Sequence, residues 1–489
     1  MGAGTARGQV LIASNRGPVS FTRDDDGTLS ARRGGGGMVS GLSTVSEETD
    51  MLWVCAALSD ADRAAARAAP GGLLDPAQVG AGAAVRMIDI PPVVFQRAYN
   101  AVANSTLWFV HHMLYDTPNS PAFGPDFARE WQGFCTYNEM FADALAEAAA
   151  GQSGIRAVVQ DYHLCLAPRM LAQRDAGIQI AHFSHTPWAP PDYYRMLPAD
   201  VGREVLAGIL GADHAGFLCQ RWADSFVDCC EAILGAETDR ARTQVAYRGH
   251  VTSIGVHSLG VDAGQLRARA AERDVLVRRA ALADATAGRK LIVRVDRTEL
   301  SKNIVRGLEA YRELLRTRPQ WRRQVVHVAF AYPSRTDLAE YREYTQNVER
   351  LAAEISAEFA EPGWDPLMVE VNDDYPRSLA ACRVADVLLV NPIRDGMNLV
   401  AKEGPILSDR GCALVLSTEA GAAAELSEHA LMVNPFDVSQ TAQALHEALS
   451  MSDAERTRRS TALAEIAASM PPTRWFGEQL RALDQICVS

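Results

Sequence analysis

Short apolar runs alternate with longer helix-forming stretches along nearly the whole chain, and this alternation constrains the fold more strongly than any other feature. Most runs are continuously apolar, as is typical of strands that are covered on both faces. Ala-, Arg- and Glu-rich segments such as DALAEAAA separate them. The pattern predicts an α/β fold built from doubly wound parallel sheets. The runs interpreted as strands are QVLIASNR, IRAVVQDYH, IQIAHFSH, HAGFLCQ, VTSIGV, RKLIVRVDRT, QVVHVAFAYP, LMVEVN, ADVLLVNP and CALVLST.

Chain length bears on the number of domains. The 489 residues exceed what one compact core usually holds, so two or three domains are expected. The segment SIGVHSLGVD at residues 253–262 separates two β–α series and has the composition of a hinge. The simplest architecture is a pair of Rossmann-like domains that face each other across a central cleft.

Charge and composition exclude several classes of partner. The net charge of −12 and the pI near 5.5 argue against nucleic acid or an anionic membrane as the main ligand. No apolar run approaches the roughly 18 residues of a membrane span, and no targeting signal is recognisable. The nine cysteines include no CxxC pair, which favours free thiols in a reducing cytoplasm, with Cys229 and Cys230 in the core. The sequence leaves a homo-oligomer open.

Polar residues cluster where the predicted strands end. In DVLLVNPIRDGMNLVAKEGPIL, a buried strand gives way abruptly to Arg394, Asp395 and Asn398, and helix-forming residues follow. Ligands of open α/β sheets bind beyond the carboxyl ends of the strands, next to helix amino termini. Several such ends in both halves of the chain therefore predict a binding cleft lined from two sides. These ends are ASNRGP, QDYHL, FSHTPW, VDRTELSKN, FAYPSR and PIRDGMNLV.

Two cations, Arg297 and Lys302, flank the loop after one of these strands. A nucleoside diphosphate needs its negative charge neutralised either by a metal ion or by fixed cations such as these. Acidic clusters of the kind that bind metal occur nearby only as DDDG at 24–27 and NDD at 372–374, so the Arg/Lys pair is favoured. The alternative is a solvated charged face. Both side chains are expected in solvent, where their replacement should leave folding unaffected.

The glycine-rich stretch RRGGGGMVSGL at 32–42 is a further candidate. It does not fit the GxGxxG fingerprint of dinucleotide-binding proteins. Four consecutive glycines cost conformational entropy, so the stretch is either a flexible loop or backbone that approaches a ligand closely.

Taken together, RDGMNLVAKE, the Arg-x4-Lys loop, QDYHL and SNR…GGGM resemble the trehalose-6-phosphate synthase family of retaining glycosyltransferases (glycosyltransferase family 20). The resemblance runs from the first strand to about residue 437. It implies the GT-B fold, with an acceptor-binding domain over 1–255, a nucleotide-sugar-binding domain over 256–471, and a C-terminal helix at 472–489 that packs back on the first. It also implies transfer of glucose from a nucleotide sugar to glucose 6-phosphate, giving α,α-trehalose 6-phosphate, without metal or other cofactor.

The resemblance also assigns roles to individual residues. Arg297 and Lys302 would clamp the donor diphosphate, Glu403 would bind the ribose, and His185 would contact the transferred sugar. The residues given catalytic roles are Arg297, Lys302, Asp161, His185 and Asp395. The donor set is Gly37, Arg297, Lys302, Asn372, Asp373, Asp395, Met397, Asn398, Leu399, Val400 and Glu403. The acceptor set is Arg16, Tyr99, Trp108, Asp161 and Arg335.

Several of these residues have a purely structural alternative. Tyr99 and Trp108 could be core aromatics, and His185 could be a hydrogen-bonded histidine at a strand end. Asp161 could cap a helix, and so could the acids of the NDD segment.

Departures from the family pattern bear on the donor. ELSKN resembles an actinobacterial branch that includes pseudoglycosyltransferases, which couple cyclitols with GDP-activated donors. Guanine offers N1–H and N2–H₂ as hydrogen-bond donors, and the side-chain oxygens of Asn372 and Asp373 could accept these hydrogen bonds. GDP-glucose is therefore favoured, with UDP-glucose next. The alternatives are a pseudoglycosyltransferase and a non-catalytic regulator that binds sugar phosphates. WVCAALSD places Ala56 where the family often has a second tryptophan, which leaves one acceptor contact open.

Overall fold

The computed structural model describes residues 9–24, 26–33, 51–75, 84–241, 243–335 and 338–486. The chain divides into two compact units, one comprising Met1–Leu259 with Pro472–Ser489 and the other Gly260–Pro471. A boundary after residue 255 would cut the strand His250–Val256, so the division falls beyond that strand.

A mostly parallel sheet forms the centre of the first unit, with the strand order β10-β11-β12-β9-β8-β7-β1-β4-β6-β5. Strands β5, β10 and β11 pair antiparallel with their neighbours, and the other pairs are parallel. The strand order reverses between β1 and β7, which makes this the switch point of the sheet. The strands are β1 (Val10–Ser14), β4 (Met51–Ala56), β5 (Leu73–Leu74), β6 (Ala84–Ile88), β7 (Arg156–Gln160), β8 (Gln179–Ser184), β9 (His214–Phe217), β10 (Glu237–Asp239), β11 (Gln244–Tyr247) and β12 (His250–Val256). A separate hairpin joins β2 (Val19–Arg23) and β3 (Leu29–Arg33).

Helices pack against this sheet, whose central strands such as β1 and β7 are fully buried. The helix Pro472–Ile486, from the end of the chain, belongs to this unit, and its Trp475 ring meets Phe183 of β8 edge-on at 5.0 Å. The helical segments are Asp60–Ala68, Pro70–Gly72, Pro92–Phe95, Gln96–Leu107, Trp108–His112, Pro125–Ala149, Tyr162–Leu164, Ala167–Arg174, Pro191–Tyr194, Ala199–Ile209, Gln220–Cys229, Cys230–Leu234 and Pro472–Ile486.

The second unit has a sheet in which all pairs are parallel, with the order β15-β14-β13-β16-β17-β18. Its switch point lies between β13 and β16. The strands are β13 (Lys290–Arg297), β14 (Val325–Tyr332), β15 (Leu367–Glu370), β16 (Val387–Val390), β17 (Ala413–Ser417) and β18 (Leu431–Val433). The helical segments are Ala263–Ala270, Arg273–Thr286, Leu300–Lys302, Ile304–Thr317, Pro319–Trp321, Ala339–Phe359, Tyr375–Val384, Val400–Leu407, Ala423–Leu426, Val438–Ser450 and Asp453–Ala468.

All ten runs predicted as strands contain a strand, and the prediction of an α/β fold with parallel sheets is confirmed. Cys229 and Cys230 are buried, as predicted. The strands outside these ten runs are β4, whose six residues are all buried, and the strands β2, β3, β5, β6, β10, β11 and β18. Among the described residues, none of the helices combines the length and apolarity needed to cross a membrane.

Candidate active site

Two loops meet at the switch point of the second unit. One follows β13, which ends at Arg297, and the other follows β16. Ile393 donates its backbone N–H to the carbonyl oxygen of Ser301 at 2.8 Å. The buried side chain of Asn303 donates to the carbonyl oxygens of Asn391 (2.9 Å) and Pro435 (2.7 Å). These bonds hold the two loops in register, so the polar residues after each strand lie in one place.

Lys302, Asp395 and Asn398 form a hydrogen-bonded cluster on these loops. The Nζ of Lys302 lies 2.5 Å from Oδ2 of Asp395, and Nδ2 of Asn398 donates to the same oxygen at 3.1 Å. Asn398 has φ +74°, a left-handed conformation that asparagine tolerates better than most residues. Its Oδ1 accepts from the backbone N–H of Ala401 at 3.2 Å, in the first turn of the helix Val400–Leu407. The cluster is thereby fixed to a helix amino terminus, where anions bind favourably.

Lys302 is not in solvent, which corrects the expectation from the sequence. Its side chain is 16% exposed and that of Asp395 15%. Burial alone would lower the pKa of Lys302, but the carboxylates of Asp395, Glu299 and Asp296 raise it above its ordinary value. Lys302 is therefore a cation at neutral pH, and its charge contributes to the local stability. Arg297 does match the expectation, since its side chain is 56% exposed.

Glu299, which the sequence analysis did not single out, lies beside Arg297. Its side chain is fully buried, and its Oε1 accepts from Oγ of Ser334 at 2.9 Å and lies 3.3 Å from Nε of Arg297. Arg335, with φ +47°, donates from Nη1 to the hydroxyl of Tyr341 at 2.6 Å. The only signal for Glu299 in the sequence was its place in the ELSKN loop, which was treated as a departure from the family.

The helix Val400–Leu407 also carries the predicted ribose-binding residue. Glu403, in its first turn, is partly buried, and burial raises the pKa of its carboxyl to about 7. Met397 is buried, whereas Leu399 and Val400 at the start of the helix are partly exposed. Backbone N–H groups at the start of a helix lack intrahelical acceptors, so this end can bind an anion.

The NDD segment connects β15 of the same unit to the helix Tyr375–Val384. Asp374 accepts from the backbone N–H of Arg377 at the start of the helix Tyr375–Val384. It also forms an ion pair of 2.7 Å with Arg278. Asp374 therefore has the capping role that the sequence analysis left open. Asn372 and Asp373 are exposed on the loop before that helix.

In the first unit, Asp161 and His185 follow two neighbouring strands, β7 and β8. Asp161 has φ +73°, and its Oδ1 accepts from the backbone N–H of His185 at 3.2 Å. His185 Nε2 lies 2.7 Å from the amide oxygen of Gln160. Burial, with a smaller effect of His182, lowers the pKa of His185 to about 3. The imidazole is therefore neutral at physiological pH, so it can donate or accept a hydrogen bond without carrying charge.

The predicted aromatic residues each stack on a histidine, and the histidine beneath Tyr99 lies close to Asp161. The ring of Tyr99 lies 5.6 Å from that of His163, and His163 Nδ1 lies 3.8 Å from Oδ2 of Asp161. Trp108 stacks on His112 at 3.8 Å and meets Tyr162 at 5.8 Å. His163, which lies within the QDYHL motif, was not among the predicted site residues.

The structure thus brings Tyr99 and Asp161 into one cluster and places Trp108 beside it. Arg16 is exposed and follows β1, the strand next to β7 at the switch point. Gly37 lies outside the described residues.

Comparison with known proteins identifies the family. The sequence profile of Glycosyltransferase family 20 matches residues 8–485. The chain belongs to this family. Its resemblance to family 20, inferred from the motifs, is therefore confirmed.

Three relatives show which kinds of enzyme the chain is similar to. The chain is 32% identical to the trehalose-6-phosphate synthase of Mycolicibacterium smegmatis, over 97% of this chain and 92% of that protein. It is 28% identical to the validamine 7-phosphate valienyltransferase of Streptomyces hygroscopicus subsp. jinggangensis, over 97% and 94%. It is 33% identical to the bifunctional trehalose-6-phosphate synthase/phosphatase of Thermoproteus tenax, over 77% of this chain, but it spans only 50% of that protein.

Solved structures support the fold of the whole chain. An Escherichia coli structure bound with UDP-2-fluoro glucose superposes with a TM-score of 0.85 at 26% identity, covering 98% of this chain and 99% of the other. A UDP-forming α,α-trehalose-phosphate synthase from Burkholderia xenovorans, in complex with glucose 6-phosphate, gives 0.84 at 25% identity, covering 98% and 100%. The chain therefore has the GT-B fold that the sequence predicted.

Proposed function

We propose that the chain is a retaining glucosyltransferase that moves glucose from a nucleotide-diphosphate glucose to glucose 6-phosphate, giving α,α-trehalose 6-phosphate. The observation that carries the proposal is the Lys302–Asp395–Asn398 cluster at the switch point of the second unit. A partly buried cation, an exposed arginine and a helix amino terminus together suit a diphosphate. In this proposal the second unit binds the nucleotide sugar, and most of the acceptor-binding residues belong to the first unit.

Glucose 6-phosphate would be recognised by residues of two kinds. Arg16 and Arg335 would meet the phosphate dianion through charge-assisted hydrogen bonds, with Tyr99 and Trp108 beside them. Asp161 would accept a hydrogen bond from a sugar hydroxyl. The bond that its Oδ1 accepts from the backbone N–H of His185 supports such a role, because it orients the carboxylate before substrate binds.

The chemistry favours front-face transfer with retention. The bond between C1 of glucose and the diphosphate breaks, and the acceptor hydroxyl attacks C1 from the same face while the leaving phosphate accepts its proton. Arg297 and Lys302 would stabilise the charge that develops on the leaving diphosphate, an effect that is worth several kcal/mol. Asp395 would hold the donor-sugar hydroxyls while it keeps Lys302 oriented, and the neutral His185 would contact the transferred sugar.

Among donors we favour GDP-glucose, with UDP-glucose next. The support is the likeness of DRTELSKN to the GDP-using branch and the exposure of Asn372 and Asp373 on the loop after β15. Both side chains offer oxygen acceptors that suit the N1–H and N2–H₂ donors of guanine.

A donor panel tests the proposal. ADP-, GDP-, TDP- and UDP-glucose are each incubated with glucose 6-phosphate, and release of the nucleoside diphosphate is measured with and without the acceptor. We expect acceptor-dependent release, with the highest kcat/KM for GDP-glucose. A higher value for UDP-glucose would contradict the choice of base alone. No release with any donor would favour a non-catalytic regulator that binds sugar phosphates.

A second candidate is a pseudoglycosyltransferase that couples a cyclitol phosphate to a GDP-activated cyclitol. The valienyltransferase relative favours it, because that match extends over 97% of this chain. The intact DGMNLV motif argues for true sugar transfer. Turnover with a cyclitol phosphate but not with glucose 6-phosphate would establish the second candidate instead.

A further inference from the structure

Glu299 is a buried carboxylate placed among three cations of the second unit. Its side chain has no exposed surface, yet the Nε of Arg297 lies 3.3 Å from its Oε1. Ser334, which precedes Arg335, donates its hydroxyl to the same Oε1 at 2.9 Å, and the backbone N–H of Lys302 donates to the carbonyl oxygen of Glu299 at 3.0 Å. It precedes the turn Leu300–Lys302 at the carboxyl end of β13.

The carboxylate is ionised although burial opposes this. Burial alone would raise the pKa of Glu299, but the charges of Arg297, Arg335 and Lys302 lower it to about 2. The hydroxyl of Ser334 donates to Oε1, while Oε2 is buried without a hydrogen bond among the described residues. A buried charged oxygen without a hydrogen bond costs stability, so folding alone does not account for a glutamate here.

Arg297 and Arg335 carry like charges near the carboxyl ends of two neighbouring parallel strands, β13 and β14. Arg297 ends β13 and pairs in register with Tyr332, the last residue of β14, and Arg335 lies three positions farther along the chain. Two such guanidinium groups repel each other, and long side chains lose rotamer freedom when they are held in place. A buried carboxylate that pairs with Arg297 and accepts from the hydroxyl of Ser334, the residue before Arg335, offsets the repulsion and restricts the orientation of both side chains.

We propose that Glu299 is a positioning residue that orients both Arg297 and Arg335, so that one buried carboxylate sets the geometry of the donor-diphosphate clamp and of the acceptor-phosphate site. The inference rests on the proposed function, which assigns these two arginines to the two substrates.

A simpler role for Glu299 makes the opposite prediction. If the carboxylate only neutralised positive charge, its replacement by a neutral residue would make the site more cationic and strengthen anion binding. If it positions the arginines, the same replacement weakens binding, because the guanidinium groups no longer meet the phosphates in a bidentate geometry. The sign of the change in affinity therefore separates the two roles.

The test uses Glu299→Gln in the full chain. Isothermal titration measures the affinity for GDP, UDP and glucose 6-phosphate without turnover. We expect the Kd of the preferred nucleotide and that of glucose 6-phosphate each to rise by about tenfold or more. In steady-state assays, the KM values of both substrates should rise by more than kcat falls. Glu299→Asp, which keeps the charge, should recover part of both affinities, and Ser334→Ala should weaken them in the same direction by a smaller factor.

Asp386→Asn is the matched control. Asp386 is another buried carboxylate of this unit, and its Oδ2 accepts from the backbone N–H of Leu291 at the opposite end of the sheet. It should lose stability in thermal unfolding without a change in either Kd. If Glu299→Gln folds poorly, the Kd values of Glu299→Asp and Ser334→Ala are compared with those of this control. Weaker binding of both ligands in these two variants supports the positioning role, and binding unchanged from the control contradicts it.

Unchanged or tighter binding of both ligands by Glu299→Gln would overturn the positioning role. An effect on one ligand only would also overturn it, since the carboxylate would then serve a single arginine. A wild-type chain that binds both ligands but releases no product in the donor panel would refute the proposed transfer and leave the role of Glu299 standing. A wild-type chain that binds neither would refute both.

Discussion

Replacing Lys302 by Ala should affect both stability and turnover, because the lysine is buried in an ion pair and is also assigned to the donor diphosphate. Its Nζ lies 2.5 Å from Oδ2 of Asp395, and the two side chains are 16% and 15% exposed. Without Lys302, the Asp395 carboxylate keeps only the amide donor of Asn398 among these contacts. The variant thus leaves a mostly buried charge without its cation.

The magnitude follows from this burial. Breaking a fully buried pair by removing one partner costs roughly 3–5 kcal/mol, and the partial exposure of both groups reduces this to about 2–4 kcal/mol. For a unit of about 200 residues, each kcal/mol lowers Tm by about 2–4 °C, so the melting transition of the second unit should fall by roughly 5–15 °C. Loss of one donor to the leaving diphosphate should lower kcat/KM by about 100-fold or more.

Thermal unfolding and steady-state kinetics with the preferred donor check the two effects separately. The double variant Lys302→Ala/Asp395→Ala should regain part of the stability, because the orphaned carboxylate is gone, but none of the activity. Arg456→Ala is the matched control, since this buried cation pairs with Asp386 at 3.8 Å, at the other end of the sheet. It should lose stability and keep its kcat/KM. An unchanged Tm in Lys302→Ala would refute the ion-pair reasoning, and unchanged turnover would refute the diphosphate role.

Four further predictions follow from the site. Arg335→Ala and Arg16→Ala should raise the KM for glucose 6-phosphate far more than that for the donor, and equal effects would point to a general folding defect. Burial raises the pKa of Glu403 from 4.5 to about 7. The protonated carboxyl therefore contributes stability that is fully present below about pH 4.5 and is lost as the pH rises through about 7. Donor affinity should strengthen as the pH rises through this range, because the ionised carboxylate binds the ribose. In Glu403→Gln, neither the Tm in thermal unfolding nor the donor KM should show this dependence on pH. If GDP-glucose is preferred, Asp373→Ala should narrow its advantage in kcat/KM over UDP-glucose by about 1–3 kcal/mol, and an unchanged ratio would remove the residue from base recognition. Turnover should survive EDTA, and activity restored only by added Mg²⁺ would contradict a clamp made of fixed cations.

Much of the fold could be predicted from local sequence patterns. A continuously apolar run such as VLIAS or VLLV indicates that both faces of a strand are covered. Polar residues directly after the run indicate that the strand ends near a surface. The same patterns led to Arg297, Lys302 and Asp395 as candidates before their positions were known. Strand β4 was not predicted, although its six buried residues follow the same rule.

Local patterns could not show which side chains meet or which are buried. The sequence places Asp374 beside Asp373, but only the structure shows that Asp374 caps a helix and pairs with Arg278. It predicted that Lys302 is solvated, whereas the carboxylates around it form an ion-paired cluster. Glu299 looked like one more charged loop residue, yet its side chain is fully buried.

The sequence by itself determined the class of fold, the strand ends that could bind a ligand and, through its motifs, the family. The tertiary structure decided the order of the strands, which places β13 next to β16 and β1 next to β7. This order joins Lys302 to Asp395 across 93 positions of the chain. The physical reason is that hydrophobic periodicity records the environment of each segment, whereas strand order and the burial of charges result from packing between segments far apart in the chain.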